Sequence, residues 1–90
     1  MEFEWDPKKS ATNKRKHDVT FQEASTVFGD RLAMTFADPD HSNNEHRYLT
    51  FGLSMYNRLL VVFHTERGDK TRIISARLMD RKERRIYEEG

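Results

Sequence analysis

The run Leu59–Phe63, LLVVF, is the longest unbroken apolar stretch in this chain of 90 residues. Successive side chains of a β-strand point to opposite faces, so a strand with this sequence is apolar on both of them. Such a strand belongs at the centre of a sheet that is covered, at least in part, on both sides. A chain of this length can bury one modest core, and we therefore predict a single domain over residues 1–90.

Four further segments have the alternating or β-branched composition of strands. They are Glu2–Trp5, Leu32–Ala37, Arg47–Leu53 and Thr71–Leu78. The apolar run belongs to a fifth strand, predicted over Leu59–Thr65. Turns at Ser54–Arg58 and Glu66–Lys70 separate the last three strands, a spacing typical of consecutive hairpins. The polar segment 38–44 is predicted to be a loop.

A helix start is encoded near the N-terminus. Asp6 is a favourable N-cap residue and Pro7 suits the first helical position, so a helix should run from there to about His17. Apart from the proline, its only apolar residue is Ala11, and it therefore lacks the stripe that packs a helix onto a sheet. A helix this polar is either a solvated cover or a contact surface.

Two capping boxes mark later helices. Thr20 with Glu23 begins a helix that should run to about Phe28, and Asp80 begins the C-terminal helix. The element order β-α-α-β-β-β-β-α predicts an α+β fold, with helices packed on a small antiparallel sheet. The apolar residues with regular spacing should form the core. They are Phe3, Trp5, Phe21, Val27, Phe28, Leu60, Val62, and Ile73 or Ile74.

The overall composition excludes some classes of protein. The formal net charge is only +1, so contact with nucleic acid would depend on local clusters of charge. There is no cysteine, which excludes disulfides and thiolate metal sites. No apolar run reaches the length of a membrane-spanning helix, and the N-terminal segment is unlike a signal peptide. We therefore expect a cytoplasmic protein.

The basic residues are the most suggestive candidates for function. Ten of the sixteen are arginine, whose planar guanidinium suits bidentate contact with phosphate. Strand alternation predicts Arg77 on the same face as Ile73, near the start of a helix that carries further arginines. An arginine among isoleucines needs either a buried carboxylate or an opening into a cleft. The lysines of the first helix are equally consistent with a solvated surface.

Other candidates have two interpretations each. His17 could be a general acid or base, or a cation favoured by the helix dipole. Glu45 could act as a base, orient Arg47 or form a surface ion pair. His64 is better explained by packing than by catalysis, and Tyr87 could stack on a base or pack the last helix. No metal site is predicted, since the spacing of His41, Glu45 and His46 fits no common one.

Several motifs, in this order, resemble those of the BrnT family. The N-terminal ones are F-x-W-D-x-x-K (Phe3, Trp5, Asp6, Lys9), Asn13, Lys16 with His17, and F-x-E-A (Phe21, Glu23, Ala24). The central ones are H-x-x-x-E-x-R (His41, Glu45, Arg47), G-x-S (Gly52, Ser54) and Arg58. The C-terminal ones are R-I-I-S-A-R (Arg72–Arg77), then Glu83 with Arg84, and Tyr87 with Glu88. The resemblance covers nearly the whole chain.

The resemblance implies a RelE-like fold and a small bacterial toxin that cleaves RNA. It also implies a BrnA antitoxin with a ribbon-helix-helix part, so that DNA would be contacted only through that partner. A histidine or carboxylate beside arginines suits metal-independent cleavage, in which the ribose 2′-hydroxyl attacks the adjacent phosphorus. No cofactor is expected. The alternative is a non-catalytic basic module that binds nucleic acid or an acidic protein.

The candidate site residues fall into two groups. The predicted catalytic residues are His17, Glu45, Arg47, Arg77 and Arg84. The predicted RNA-binding residues are Lys9, Lys16, Arg58, Arg72, Arg81 and Tyr87.

Overall fold

The computed structural model of the chain describes residues 1–39 and 46–90. Most of the predicted loop 38–44, which contains His41, lies outside the described residues, and so does Glu45. The strands are β1 (Glu2–Glu4), β2 (Met34–Ala37), β3 (Arg47–Leu53), β4 (Leu59–Arg67) and β5 (Lys70–Leu78). The α-helices are α1 (Pro7–His17), α2 (Phe21–Thr26) and α3 (Arg81–Glu89), and a 3-10 turn, Val27–Gly29, extends α2. The predicted element order is confirmed.

In the described part of the chain the five strands form one sheet in the order β1-β5-β4-β3-β2. The strand that contains LLVVF, β4, lies at its centre, as the sequence predicts. Strands β2 to β5 pair with antiparallel neighbours. The departure from an all-antiparallel sheet is β1, which pairs in parallel with β5 through Glu2–Glu4. No hairpin joins these two strands, so the local sequence contains no signal for their relative direction.

The sheet separates two apolar clusters, which meet it through alternate residues of β4. Leu60 and Val62 pack with the buried residues of α2, and the predicted Phe3, Trp5 and Phe28 pack at the rim of that cluster. Val61 points to the opposite face, where it packs with Phe51 and Met79 and with Tyr87 of α3. The predicted core is therefore confirmed, and β4 is covered on both faces.

A β-bulge in β5 overturns one expectation. The pairing with β4 joins His64 to Ile73 and Phe63 to Ser75, so Ile74 is an extra residue with no opposite partner. An extra residue shifts the alternation by one position. Ile73 therefore packs in the α2 cluster, whereas Arg77 lies opposite Val61 on the other face. The prediction that the side chains of Ile73 and Arg77 share a face was wrong, because strict alternation of side chains does not hold across a bulge.

Local signals set the ends of the helices. The side chains of Asp6, Thr20 and Asp80 accept hydrogen bonds from the first turns of α1, α2 and α3. At Asp80 the full capping box forms with Glu83. After α2 the chain passes very close to β3: a Cβ on Gly52 would lie 2.5 Å from the side chain of Val27. No helix among the described residues is long and apolar enough to cross a membrane.

Candidate active site: a basic cleft between α1 and β5

One side of α1 faces a cleft of about 270 Å³ beside strand β5. Its walls bring together residues that are three or four positions apart on the helix, with two residues of the bulged strand. They are Lys8, Lys9, Thr12, Asn13, Lys16, His17, Ile74 and Ser75. Three lysines and a histidine in one cleft form an anion-attracting surface, and His17 lies at the C-terminal end of α1.

Asn13 joins the helix to the strand. Its side-chain nitrogen donates to the carbonyls of Val19 and Ala76, each at 2.9 Å. Its side-chain oxygen accepts from the backbone N–H of Ala76 at 3.1 Å and from the hydroxyl of Ser75 at 3.3 Å. Asn13 is 6% exposed and is the buried residue of a helix that otherwise has a solvated surface.

Arg77 lies two residues after Ser75 on β5, about 7 Å farther along the strand. Its guanidinium forms a bidentate pair with Glu83 of α3, with N–O distances of 2.7 and 2.8 Å. The same group lies over the ring of Phe63, 5.6 Å from its centroid. The hydrogen bond from Arg77, strengthened by charge attraction, lowers the pKa of Glu83 despite its partial burial. Arg77 is thus a fixed, partly shielded cation that remains 33% exposed.

Arg58 is occupied by an internal carboxylate. Its Nε donates to Glu23 at 2.9 Å, a second bond joins Nη2 to the same carboxylate, and Nη2 also donates to the carbonyl of Asp18. The hydroxyl of Ser54 completes the group with a 2.7 Å bond to Glu23. The hydrogen bond from Arg58 lowers the pKa of Glu23 against the opposing effect of burial. This cluster fastens α2 to the β3–β4 turn.

The other predicted residues are spread over the molecule. Arg72 pairs with Glu4 of β1 at 2.8 Å, and Arg47 is a half-buried residue of β3. Arg81 and Arg84 are exposed on α3. Glu45 lies outside the described residues.

Tyr87 connects α3 to the rest of the fold. Its hydroxyl donates a 2.6 Å hydrogen bond to Asp30, which raises the pKa of Tyr87 to about 12. Asp30 also accepts from the backbone N–H groups of Leu32 and Leu53. Its burial disfavours the charged form, but these three hydrogen bonds outweigh that effect and the pKa of Asp30 is lowered. The contact supports the packing interpretation of Tyr87.

His64 is 4% exposed and lies between the rings of Phe28 and Tyr48. Its Nε2 is 2.7 Å from the hydroxyl of Thr50, which in turn is 2.8 Å from that of Thr35. Burial lowers the pKa of His64, against a small opposing effect of Glu66. These contacts agree with a packing role.

The structure thus gathers Lys9, Lys16 and His17 in one cleft, with Arg77 next along the cleft-lining strand. Asn13 and Ser75 were not selected as site residues from the sequence. Asn13 is among the motifs that resemble the BrnT family, and helical spacing puts it four residues after Lys9 and three before Lys16. A neutral amide nevertheless offers no charge to suggest a function. Within residues 1–39 and 46–90, no three His, Cys, Asp or Glu side chains lie close enough to share a metal ion.

Comparison with known proteins agrees with the fold and the motifs. Residues 5–83 match the family described as the ribonuclease toxin BrnT of type II toxin–antitoxin systems. Among solved structures, the 1.1 Å crystal structure of the Brucella abortus ribonuclease toxin BrnT aligns with a TM-score of 0.71 at 21% identity. The alignment covers 90% of this chain and 99% of that one, and no curated protein sequence matches. Because the family match spans most of its length, the chain belongs to the BrnT family of ribonuclease toxins of type II toxin–antitoxin systems.

Proposed function

We propose that the chain cleaves RNA internally and without a metal ion, in the cleft between α1 and β5. The observation that carries the proposal is the convergence of three lysines and His17 on Ile74 and Ser75 of β5, two residues before Arg77. Phosphodiester cleavage by the ribose 2′-hydroxyl needs a proton acceptor, a proton donor and cations around the phosphate. Family membership supports the ribonuclease class.

In this mechanism the 2′-oxygen bonds to phosphorus and the bond from phosphorus to the 5′-oxygen breaks. The products are a 2′,3′-cyclic phosphate and a free 5′-hydroxyl. His17 or Glu45 accepts the 2′ proton, and a protonated group returns a proton to the leaving 5′-oxygen. RNA rather than DNA is the substrate because the nucleophile belongs to the ribose.

Arg77 stabilises the negative charge that grows on the non-bridging oxygens. Of its five N–H donors, contacts with the described residues Glu83 and Leu78 use three, so it retains donors for a phosphate. Glu83 holds the guanidinium in place before substrate arrives, so little reorganisation is needed during the reaction. Lys9 and Lys16 hold flanking phosphates, while Arg81 and Arg84 on α3 extend the basic surface.

The test is cleavage of an RNA oligomer by the purified protein in the presence of a chelator, with analysis of the new ends. Cyclic phosphate ends without added metal are expected. Arg77→Ala should reduce the rate about a hundredfold, the typical effect of losing one transition-state donor. Arg77→Lys should also be impaired, because an ammonium cannot form the bidentate contact.

Arg67→Ala is the matched control, since it removes the same charge from an exposed position at the far end of the β4–β5 hairpin. It should cleave like the parent protein. Cleavage that requires a divalent ion, or an Arg77→Ala protein as active as the parent, would refute the mechanism.

The biological setting follows from the family. We infer that the toxin acts in the cytoplasm and that a BrnA-like, DNA-binding antitoxin neutralises it by covering the basic cleft. Expression of the chain alone in bacteria should arrest growth, and Arg77→Ala should relieve the arrest. If the protein binds RNA but neither cleaves it nor arrests growth, the non-catalytic basic module becomes the better interpretation.

A further inference from the structure

The outer edge of β5 is paired for only part of its length. Among the described residues, β1 pairs with Lys70–Arg72 and stops there, whereas β5 continues to Leu78. The N–H and C=O of Ala76 point away from β4, since both bind the amide of Asn13. The side chain of Asn13 therefore takes the place of a neighbouring strand at this position.

The helix that carries Asn13 has little else to hold it on the sheet. Asn13 is the buried residue of α1, and Ala11 is exposed. A helix without an apolar stripe gains little from hydrophobic packing. Its position relative to β5 must then depend on directional hydrogen bonds, of which the Asn13 side chain makes three to that strand.

These contacts fix the basic face of the helix. Lys9 precedes Asn13 by four residues and Lys16 follows it by three, so all three side chains lie on the same side of α1. The bond to the Val19 carbonyl also ties the segment that follows His17 to the same amide. Displacement of α1 along β5 would move the lysines and His17 together, relative to Arg77.

We propose that Asn13 is the positioning residue of the RNA-binding cleft, which holds the lysines and His17 of α1 in register with β5. This inference rests on the proposed function of that cleft. Asn13 itself has no free polar atom directed at a substrate, because both its amide nitrogen and its oxygen are used within the described fold. Its effect on cleavage is transmitted through α1.

The decisive variant is Asn13→Asp, tested in the full-length protein. An ionised carboxylate keeps the acceptor but cannot donate to the carbonyls of Val19 and Ala76. A protonated carboxyl regains one O–H donor. Burial of this position, which is 6% exposed, and the two carbonyl oxygens that face it raise the pKa of the carboxyl. The N–H of Ala76, the hydroxyl of Ser75 and the cations of Lys9 and Lys16 oppose this shift, and we expect burial to dominate. At pH 8 the variant should lose at least about tenfold in kcat/KM relative to the parent, the order of effect expected from a small misplacement of binding groups.

At pH 5 the ratio of variant to parent should recover towards one, which a simple loss of folded protein would not produce. Gln22→Glu is the matched control, because it makes the same change from amide to carboxylate at an exposed position of α2. It should behave like the parent at both pH values.

Two further measurements do not depend on cleavage. Binding of a 2′-O-methyl RNA oligomer, which lacks the nucleophile, should weaken in Asn13→Asp at pH 8. The carboxylate repels the carbonyls of Val19 and Ala76 and should move α1 away from β5, so hydrogen exchange of the Ala76 amide should become faster although an acceptor remains. The amides of central β4 should keep their protection. If the parent does not cleave RNA, the proposed function fails, and these two measurements still decide the role of Asn13.

Equal oligomer affinity and equal Ala76 protection in parent and variant would overturn the proposal. So would a loss of cleavage that is the same at pH 5 and pH 8, or one that follows the unfolded fraction measured by circular dichroism.

Discussion

At the scale of single residues, the carboxylate partner of each arginine decides how available its guanidinium is to bind RNA. Arg58 binds Glu23, whose side chain is 3% exposed, whereas Arg72 binds Glu4, which is 31% exposed. An ion pair with one buried member is costly to break, since the remaining charge loses its compensation. A solvent-accessible ion pair contributes little to the free energy of unfolding. Arg58 is therefore better placed to stabilise the fold than to bind RNA.

Glu23→Gln should lower the free energy of unfolding by about 2 kcal/mol, because the Arg58 guanidinium loses a charged acceptor in a partly buried site. Glu4→Gln makes the same chemical change in the more exposed pair and should cost less than about 1 kcal/mol. Urea denaturation of the two variants gives the comparison. Equal destabilisation would show that burial does not distinguish these pairs.

His64 should make stability depend on pH. Burial lowers its pKa in the folded chain below the ordinary value of 6.5. As the pH falls through about 6.5 the unfolded chain binds a proton and the folded chain does not. The free energy of unfolding therefore has its full value above this pH. Below it, proton uptake by His64 in the unfolded chain lowers the free energy of unfolding by at most about 1.4 kcal/mol per pH unit.

Urea midpoints between pH 7.5 and pH 5 measure this decline. In a His64→Gln variant, whose amide can keep a hydrogen bond to Thr50, the decline should be smaller. The other histidines of the chain remain in the variant, so they do not affect the comparison. An identical pH dependence in both proteins would exclude His64 as the source.

At the scale of elements, α3 is attached through a few side chains. No residue of α3 is buried. Tyr87 packs against the apolar cluster on its face of the sheet and donates to Asp30, and Glu83 pairs with Arg77. Because these contacts are local, α3 can loosen without unfolding of the sheet.

Tyr87→Phe should therefore destabilise the protein by about 1 kcal/mol, through loss of the hydrogen bond to Asp30 while the ring contacts remain. Amide exchange should become faster in α3 but not in β4. Tyr56→Phe removes a hydroxyl from a side chain in a residue that is 64% exposed, and it should change neither quantity. Unaltered exchange in α3 of the Tyr87 variant would contradict this account of its attachment.

At the scale of the whole molecule, a net charge of +1 means that attraction to RNA must be local. If Lys9, Lys16 and Arg77 each neutralise one phosphate, the logarithm of the binding constant should fall with the logarithm of salt concentration with a slope of about −2. Lys9→Ala combined with Lys16→Ala should reduce the slope to about −0.7. Arg67→Ala combined with Lys70→Ala removes the same charge at the hairpin end and should leave it near −2.

The sequence by itself determined the features that depend on near neighbours along the chain. The capping residues Asp6, Thr20 and Asp80 mark the true starts of the three α-helices, since a capping side chain needs only the next few backbone N–H groups. LLVVF determined the central strand, because its burial on both faces follows from composition alone. The strand boundaries differ from the predicted ones by two residues at most, as at β2 and β4.

The tertiary structure alone decided the features that join distant parts of the chain. The parallel pairing of β1, the bulge at Ile74 and the carboxylate partner of Arg58 depend on contacts that no local pattern contains. The same holds for Asn13, whose partner Ala76 is 63 residues away. An amide has no charge or apolar surface to reveal such a role in sequence. It becomes recognisable only when packing buries it against an unpaired strand edge.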